Sequence, residues 1–362
     1  MTSPTTYFSA SYAEARGKFR DAAQRAGARL FRYQNPTKGP NGEELTTDVA
    51  VLGPRDASRV LITVSATHGA EGFCGSGVQI GSFESGLAGE LPAGTALVAI
   101  HAINPHGFAW VRRVTEENVD LNRNFIDHGK ALPRNEGYEE LHDAICPREW
   151  SEASRAATRG RFDEFVAREG AAAFQKAVSG GQYNHQDGIF YGGAAPTWAR
   201  QTLMRILADH LAGARALAMI DYHTGLGPWG HGEKIVTHGP GTAALRRAQE
   251  WYGDVTNPAL GNSSSAELHG DNLNGLEAVL AARNIEFTGM ALEYGTLSLR
   301  EVLDAVRADN WLHHYGTLGS KTGRALKTLI RDAFYGDRDD WKRMIFEQGA
   351  AAQRAALKGL QG

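Results

Sequence analysis

Short apolar runs alternate along this chain with stretches in which apolar residues recur every three to four positions. The first pattern predicts strands and the second predicts amphipathic helices. An opening helix that ends at Gly27 precedes two strands, at 28–36 and 44–53, joined by a turn rich in Gly, Pro and Asn. Beyond them the same patterns predict strands at 59–67, 95–103, 216–223, 233–240 and 289–296, and helices from Glu71 to about Leu87, near 242–253 and at the C-terminal end.

Nearly continuous apolar strands interspersed with helices indicate a largely parallel or mixed sheet that is covered on both faces. The stretch from 126 to about 205 is rich in predicted helix and in charged residues, and we interpret it as an insertion. Since no linker flanks this stretch and the sequence has no internal repeat, residues 1–362 are predicted to form a single domain.

The composition narrows the class of protein. Of the 362 residues, 42% are hydrophobic and 22% are charged, which is ordinary for a globular chain with a sizeable core. The net charge of −3 offers no basic surface for nucleic acid or anionic lipid. No apolar run reaches the ~18 residues of a membrane span, and the first residues lack the apolar core of a signal peptide. With two widely spaced cysteines, Cys74 and Cys146, a cytoplasmic protein without a disulfide framework is expected.

Ionisable residues follow the ends of three predicted strands. His68 and Glu71 come directly after the strand RVLITVSAT, His223 ends ALAMIDYH, and Glu293 follows GMAL. Ligands of open α/β sheets bind beyond the carboxyl ends of the strands, and two histidines with one glutamate form a known catalytic zinc set. The simpler interpretation is that Glu71 is a favourable charge at a helix N-terminus and that His68 is a loop histidine.

A second group of polar residues lies in VRRVTEENVDLNRNF. Arg123 offers a planar fork of donors that matches a carboxylate, and Asn122 can add a hydrogen bond. One of the two arginines Arg112 and Arg113 could stabilise a developing oxyanion. The alternative is structural: Asp120 and Arg123 would form an ion pair, and the arginine pair would lie on a solvated face.

The order of these motifs resembles the zinc carboxypeptidase superfamily, which includes the aspartoacylase and succinylglutamate desuccinylase type deacylases. The resemblance covers about 60–125 and 215–300, through HGAEG, NPHGFAWVRRVTEENVDLNRNF, and a strand-terminal histidine and glutamate. It implies a three-layer α/β/α sandwich on a mixed, mostly parallel sheet. It also implies one zinc ion per chain, held by His68, Glu71 and His223.

The resemblance assigns further roles. Asn122 and Arg123 would hold a substrate carboxylate, and Glu293 would act as the general base. Arg113, nine residues before Asn122 as in bacterial members, matches the oxyanion arginine best, with Arg112 as the alternative.

The chain also departs from the digestive carboxypeptidases. The stretch between Phe125 and His223 is longer, and the loop GQYNHQDGIFYGG has no counterpart there, which places the chain closer to a bacterial branch. Three tyrosines are candidates for the mobile tyrosine of those enzymes, and substrate contacts are open for two further polar residues of the loop. The tyrosines are Tyr191, Tyr222 and Tyr294, and the other loop residues are His185 and Asp187.

For several other residues the sequence allows either a functional or a structural role. Cys74 could be a nucleophile or a small buried residue, and the second is favoured. His101 and His106 could support a metal-ligand carboxylate or be structural. Asp221 could orient a metal ligand or cap a helix.

We therefore expect zinc-dependent hydrolysis of an amide bond next to a free carboxylate. The substrate is a peptide C-terminus in a carboxypeptidase, or an N-acyl amino acid or related small amide in a deacylase. The same residues serve both reactions, and the shape of the pocket separates them. A metal-binding protein without catalysis, and a hydrolase built on Cys74, are distant alternatives. The sequence leaves the oligomeric state open.

Overall fold

The computed structural model describes residues 3–362. Its strands form one seven-stranded sheet in the order β1-β2-β4-β3-β5-β7-β6. The strands are β1 (Arg29–Lys38), β2 (Glu44–Leu52), β3 (Arg59–Val64), β4 (Thr95–His101), β5 (Ala216–Trp229), β6 (Gly232–Ile235) and β7 (Glu286–Gly295).

Twelve α-helices lie within these described residues. They are α1 (Tyr12–Arg25), α2 (Gly72–Glu84), α3 (Pro105–Trp110), α4 (Glu136–Ile145), α5 (Glu152–Glu169), α6 (Ala171–Ser179), α7 (Trp198–His210), α8 (Ala243–Tyr252), α9 (Asn272–Ala282), α10 (Leu299–Tyr315), α11 (Lys321–Phe334) and α12 (Asp339–Gly359). Every strand and helix that the sequence pattern predicts is present, with ends that shift by a few residues.

The sheet is mixed, and its parallel part lies at the centre. Strands β4, β3, β5 and β7 run parallel to one another. The pairs β1–β2, β2–β4 and β6–β7 are antiparallel. The predicted parallel pairing is therefore found among the four central strands, and the pairings at the two edges of the sheet are antiparallel. The outer β1–β2 pair is a hairpin with a short connection, and such a connection allows only antiparallel pairing.

Alternate residues of the central strands belong to two separate cores. Leu61 packs in the core built with α1, α2, α8 and α12. Its neighbours Val60 and Ile62 pack in the core built with α7 and α9. Because successive side chains of a strand point to opposite faces, helices cover both sides of the sheet. The predicted three-layer α/β/α sandwich is confirmed.

The long connection between β4 and β5 adds a third buried cluster. Tyr138 of α4, Phe162 of α5 and Val178 of α6 share it with Val306 of α10. Helix α7, by contrast, packs on the sheet. The predicted insertion at 126–205 thus contains helices that pack away from the sheet, and its last residues enter a sheet-covering helix. Within residues 3–362 no helix is both long and apolar enough to cross a bilayer.

Candidate metal centre

Three neighbouring strands bring the predicted metal ligands to one edge of the sheet. Strand β5 lies between β3 and β7, with Val64 opposite Asp221 and His223 opposite Glu293. His68 follows the end of β3 after three residues. Since all three strands run parallel, their carboxyl ends meet, and the polar residues that follow them share one site.

The two histidines and Glu71 converge through atoms that can bind a cation. His68 Nδ1 lies 2.9 Å from Glu71 Oε1, and His223 Nδ1 lies 3.0 Å from Glu71 Oε2. The two Nδ1 atoms are 3.2 Å apart. One donor atom from each residue lies within 4.8 Å of the others, and all three residues are buried. Two imidazoles and a carboxylate are a donor set that suits zinc.

The short loop between the two ligands depends on glycine. Residues Gly69–Glu71 form one turn of 3-10 helix, which places His68 and Glu71 on the same side. A Cβ atom built on Gly69 would lie 1.9 Å from the carbonyl carbon of Gly107 in α3. Only a residue without a side chain therefore lets this loop approach α3, which accounts for the HGAEG pattern.

A carboxylate lies behind each histidine. His68 Nε2 is 3.0 Å from Asp120 Oδ1, and His223 Nε2 is 2.9 Å from Asp221 Oδ2. Both carboxylates are fully buried. A carboxylate that accepts from Nε2–H leaves the Nδ1 lone pair facing the centre, which is how metal-binding histidines are oriented in proteins. The residues present therefore fit a zinc ion.

Asp221 orients a histidine here, since residues two apart in a strand share a face. Asp120 was not predicted to have this role. The signal available in the sequence was that a histidine ligand generally needs a carboxylate partner, and Asp120 is the acidic residue of DLNRNF.

The charges of the centre are mutually stabilising. Burial acts to raise the pKa of Glu71, but His68 and His223 lower it below its usual value. Burial acts to lower the pKa of His223, but Asp221 and Glu71 raise it well above its usual value. Burial also opposes ionisation of Asp120, yet Arg113 and His68 hold its pKa well below the usual range. Without a cation, Glu71, Asp120 and His223 are thus held in their ionised forms. Binding of a cation would require His223 to release its Nδ1 proton.

Glu293 lies beside this cluster without an ion-pair partner of its own. Its Oε1 accepts a hydrogen bond from the Leu226 backbone N–H at 3.0 Å. Burial, and then the charge of Glu71, raise its pKa to about 8. Arg300, seven residues further along the chain, pairs with Asp163 and not with Glu293. A cation held by the three ligands would lower the pKa of Glu293 and ionise it at neutral pH.

The two consecutive arginines face different surroundings. Arg113 lines the cavity at the metal centre; its Nε donates to Asp120 Oδ2 at 3.0 Å and its Nη1 to Glu71 Oε1 at 2.9 Å. Arg112 bonds to Asn118 and Asp309 and is absent from the cavity wall. Arg113, and not Arg112, lies on the cavity wall, so we carry the oxyanion role forward for Arg113.

Arg113 also approaches His68, where its Nη2 lies 2.9 Å from Nε2. A guanidinium can only donate, so this contact and the contact with Asp120 make opposite demands on that nitrogen. We assign the proton to Nε2 and the bond to Asp120, because Nδ1 then keeps the lone pair that a cation bound by His68, Glu71 and His223 would need.

Arg123 and Asn122 line the same cavity. Arg123 Nε and Nη2 donate to the Ser179 carbonyl, and Nη1 donates to the Asn122 carbonyl. A guanidinium has five N–H groups, so these three bonds leave one on each terminal nitrogen. Asp120 is 3.9 Å away, too far for a close pair. The Asn122 side chain accepts from the Asn272 backbone N–H at 3.1 Å, which leaves its amide N–H₂ free to donate.

Phe190, rather than Tyr191, forms the wall beside the arginines. Its ring centre lies 5.2 Å from the guanidinium carbon of Arg113 and 5.5 Å from that of Arg123. Tyr191 is buried and is not among the residues that line the cavity. Phe190, and not Tyr191, therefore faces this cavity, and we carry no substrate contact forward for Tyr191. The reason is the backbone of Phe190, whose φ of 55° turns this side chain inward.

The other two candidate tyrosines lie in the core on the far side of the sheet. The Tyr222 hydroxyl accepts from Gln353 Nε2 at 2.9 Å, and the Tyr294 hydroxyl donates to the Ile345 carbonyl at 3.1 Å. Cys74 is buried in that core, and burial raises the pKa of its thiol, which opposes a nucleophilic role.

The remaining histidine candidates have structural contacts. His101 stacks on Phe19 with ring centres 4.5 Å apart and bonds to Ser76 at 2.9 Å. His106 bonds to Thr37 at 3.1 Å. Neither touches a metal-ligand residue in these contacts.

The loop candidates His185 and Asp187 also lie off the cavity wall. His185 stacks on His142 and bonds to Glu139 at 2.9 Å. The Asp187 carbonyl accepts from Asn310 at 2.8 Å. The loop thus positions Phe190 and does not offer these side chains to a substrate.

The metal centre opens into a cavity of about 210 Å³. Its wall contains the three metal-binding candidates, Glu293, Arg113, Asn122 and Arg123. The typical range for ligand pockets is roughly 300–1,000 Å³. The volume of this cavity lies below that range.

The sequence matches a known family over residues 8–348, the family described as "Protein of unknown function (DUF2817)". The chain belongs to this family. No curated protein matches it.

Several solved structures align with this chain at low identity. Bovine thrombin-activatable fibrinolysis inhibitor, in complex with tick carboxypeptidase inhibitor, is 10% identical with a TM-score of 0.48, over 97% of each chain. Carboxypeptidase A from Helicoverpa armigera is 11% identical with a TM-score of 0.47, over 96% of this chain and 74% of that one. The ectoine utilization protein EutE (DoeB) from Ruegeria pomeroyi is 14% identical with a TM-score of 0.37, over 79% and 67%. At these values the likeness says nothing about the reaction of this chain.

Proposed function

We propose that this protein is a zinc-dependent hydrolase that cleaves an amide bond next to a free carboxylate. The observation that supports it best is the convergence of His68 Nδ1, Glu71 and His223 Nδ1, with a buried carboxylate behind each histidine. Such a carboxylate–histidine arrangement on both ligands is typical of a metal site.

The substrate form that the geometry favours is a small N-acyl amino acid. A carboxypeptidase acting on polypeptides needs an open groove, whereas the cavity here holds about 210 Å³. We treat residues 1–362 as one catalytic domain, because α4–α6 share a buried cluster with α10.

Each polar residue of the cavity has a role in this proposal. Zinc supplies Lewis acidity, which polarises a carbonyl and acidifies water. Glu293 Oε takes the proton of the attacking water and returns it to the leaving amine. Arg113 donates to the oxyanion as it develops. Arg123, through one N–H on each terminal nitrogen, and Asn122 bind the substrate carboxylate and set the position of the scissile bond.

Metal analysis tests the proposal. After zinc loading and removal of free metal, the protein is expected to hold about one zinc per chain, and His68→Ala to hold far less. His231→Ala is a matched control, since His231 is exposed and outside the cavity wall. Equal, near-zero zinc in wild type and His68→Ala would contradict the proposal, and a second stoichiometric metal would mean that the set of ligands is incomplete.

A paired substrate test addresses the carboxylate. Arg123→Ala is expected to weaken cleavage of an N-acyl amino acid far more than of its amidated analogue, because the charge-assisted pair exists only in the first. An equal loss on both would show that Arg123 is structural, which its three carbonyl contacts make the natural alternative.

A further inference from the structure

The cavity wall is polar on one side of His223. Behind this histidine, Asp221 accepts from Asn272 Nδ2 at 2.6 Å, and the Asn272 backbone N–H donates to Asn122 Oδ1 at 3.1 Å. This chain of hydrogen bonds leads from the metal centre to Arg123. The carboxylate-bearing half of a substrate therefore belongs on this side.

The wall is apolar on the other side of His223. Thr224 Oγ1 donates to the Phe334 carbonyl at 2.7 Å. A Cβ atom built on Gly225 would lie 2.9 Å from Phe334 Cε1 and 3.6 Å from Val302 Cγ1. Helix α10 adds Leu303 and Val306 to the same wall.

This apolar wall offers no partner for a charge. The residues that α10 contributes to the cavity are Leu299, Val302, Leu303 and Val306, none of which is ionisable. A substrate whose carboxylate is bound at Arg123, and whose amide reaches the metal centre, would extend its acyl group along them. Burial of an apolar group there is favourable, and burial of an unpaired charge is costly.

Beside the cavity, hydrogen bonds join α6 and the residue after it to the loop that precedes α9. Gln175 of α6 donates to the Ser264 carbonyl at 2.7 Å, and the His269 N–H donates to the Gly180 carbonyl at 3.3 Å. Glu233 of β6 holds the same loop, accepting from the Ser264 N–H at 3.0 Å. These contacts hold the loop against α6, where it narrows the space beside the cavity.

Resting on the function proposed above, we infer that the substrate is a small N-acyl amino acid with an uncharged, apolar acyl group that packs on α10. Water adds across the amide C–N bond: the acyl carbon gains the oxygen and the nitrogen gains the proton. The products are an aliphatic carboxylic acid and a free amino acid.

A substrate series tests this with the zinc-loaded full-length protein. It comprises N-acetyl, N-butyryl, N-hexanoyl and N-succinyl derivatives of one amino acid, and a decapeptide with the same C-terminal residue. We expect kcat/KM to rise about fourfold per buried methylene until the cavity is full. N-butyryl should exceed N-succinyl, which has the same number of acyl carbons but ends in a carboxylate, and the decapeptide should be at least tenfold slower than N-hexanoyl. A faster decapeptide or N-succinyl substrate would overturn the inference and leave the hydrolase proposal standing.

Variants on α10 localise the effect. Leu303→Ala should move the best acyl length upward, and Val306→Phe should move it downward. Leu329→Ala, an exposed leucine of α11, is the matched control and should change nothing. If the best acyl length is the same in both α10 variants as in the wild type, the assignment of the acyl site to α10 is overturned. If neither variant folds, the substrate series with the wild-type protein decides whether the inference holds.

A binding measurement separates the two proposals. If no substrate is cleaved, the hydrolase proposal fails. Calorimetric binding of the N-hexanoyl and N-succinyl compounds to the zinc-loaded protein then decides the inference alone. Tighter binding of the N-hexanoyl compound supports it, and equal or weaker binding refutes it.

Discussion

Replacement of Asp221 by asparagine should weaken zinc binding by about tenfold without unfolding the protein. The Asp221 carboxylate is fully buried and accepts from His223 Nε2 at 2.9 Å, from Asn272 Nδ2 at 2.6 Å and from the Thr67 hydroxyl at 2.8 Å. An asparagine can place its oxygen toward His223 and Asn272, and its amide N–H₂ toward Thr67, whose hydroxyl can turn to accept. The geometry is then kept and the negative charge is lost.

The magnitude follows from that loss of charge. A hydrogen bond to a charged group contributes about 1.5–3 kcal/mol and a neutral one about 0.5–1.5 kcal/mol. The difference of about 1–1.5 kcal/mol corresponds to about tenfold in affinity, at the lower end of the range for residues behind a metal ligand. Asp221→Ala removes the acceptor for three buried donors. It should cost a further ~1–3 kcal/mol per donor in unfolding free energy and weaken zinc by ~100-fold.

The assay is a competition titration of metal-free protein against a chromophoric zinc chelator, with urea unfolding of each variant in parallel. Asp48→Asn is the control, since Asp48 is an equally buried carboxylate that pairs with Arg16 and Arg20 and lies outside the cavity wall. It should lower stability and leave zinc affinity unchanged. If Asp221→Asn loses stability but binds zinc like wild type, Asp221 is a core acceptor and the reasoning about His223 is wrong.

Three further predictions concern the base, the acid stability and the loop between the ligands. Glu293→Gln should keep its zinc and lose at least ~10²-fold in kcat. Near wild-type turnover would refute the role of Glu293 as general base. Loss of zinc would mean that Glu293 is a metal ligand and not the base. Burial lowers the pKa of His101 to about 4. The unfolded chain therefore binds more protons below pH ~6.5. As the pH is lowered from about 6.5 to 4, the free energy of unfolding should fall by up to about 1.4 kcal/mol per pH unit in the wild type, and less steeply in His101→Gln. Equal pH slopes for the two proteins, measured by urea titration at each pH, would contradict this. Gly69→Ala should lower zinc content and cost at least ~1–3 kcal/mol in stability, because its Cβ would meet the Gly107 backbone. Gly17→Ala in α1, which meets no atom within 4 Å, should stabilise by ~0.5–1 kcal/mol, and similar effects at both sites would refute the packing argument.

Much of the candidate site followed from local pattern. His68, His223 and Glu293 were placed at strand ends, and the structure brings them together because neighbouring parallel strands end at one edge. The alternative interpretation was an ion pair between Asp120 and Arg123. Their charged groups lie 3.9 Å apart, so this weak contact does not account for the position of either side chain. Asp120 instead serves His68 and Arg113.

The sequence by itself determined the alternation of strands and helices, and with it the α/β/α layers and the edge at which the site lies. These depend on hydrophobic periodicity, which is a property of neighbouring residues. Only the tertiary structure decided between Arg112 and Arg113, and between Tyr191 and Phe190. Val111, directly before the two arginines, and Phe190 itself both have positive φ. At such residues the direction of the side chains no longer follows the regular period of a helix or strand, so the sequence pattern could not show which side chain faces the cavity.

The position of the loop beside the cavity was likewise decided by tertiary structure alone. It depends on contacts between Gln175 and Ser264, and between Gly180 and His269, which are 89 residues apart in each case. No periodic pattern links residues so distant, because such contacts form only when separately predicted elements pack. The residue types of the candidate site could thus be read from the chain, while the shape of the cavity is set by how the chain folds around it.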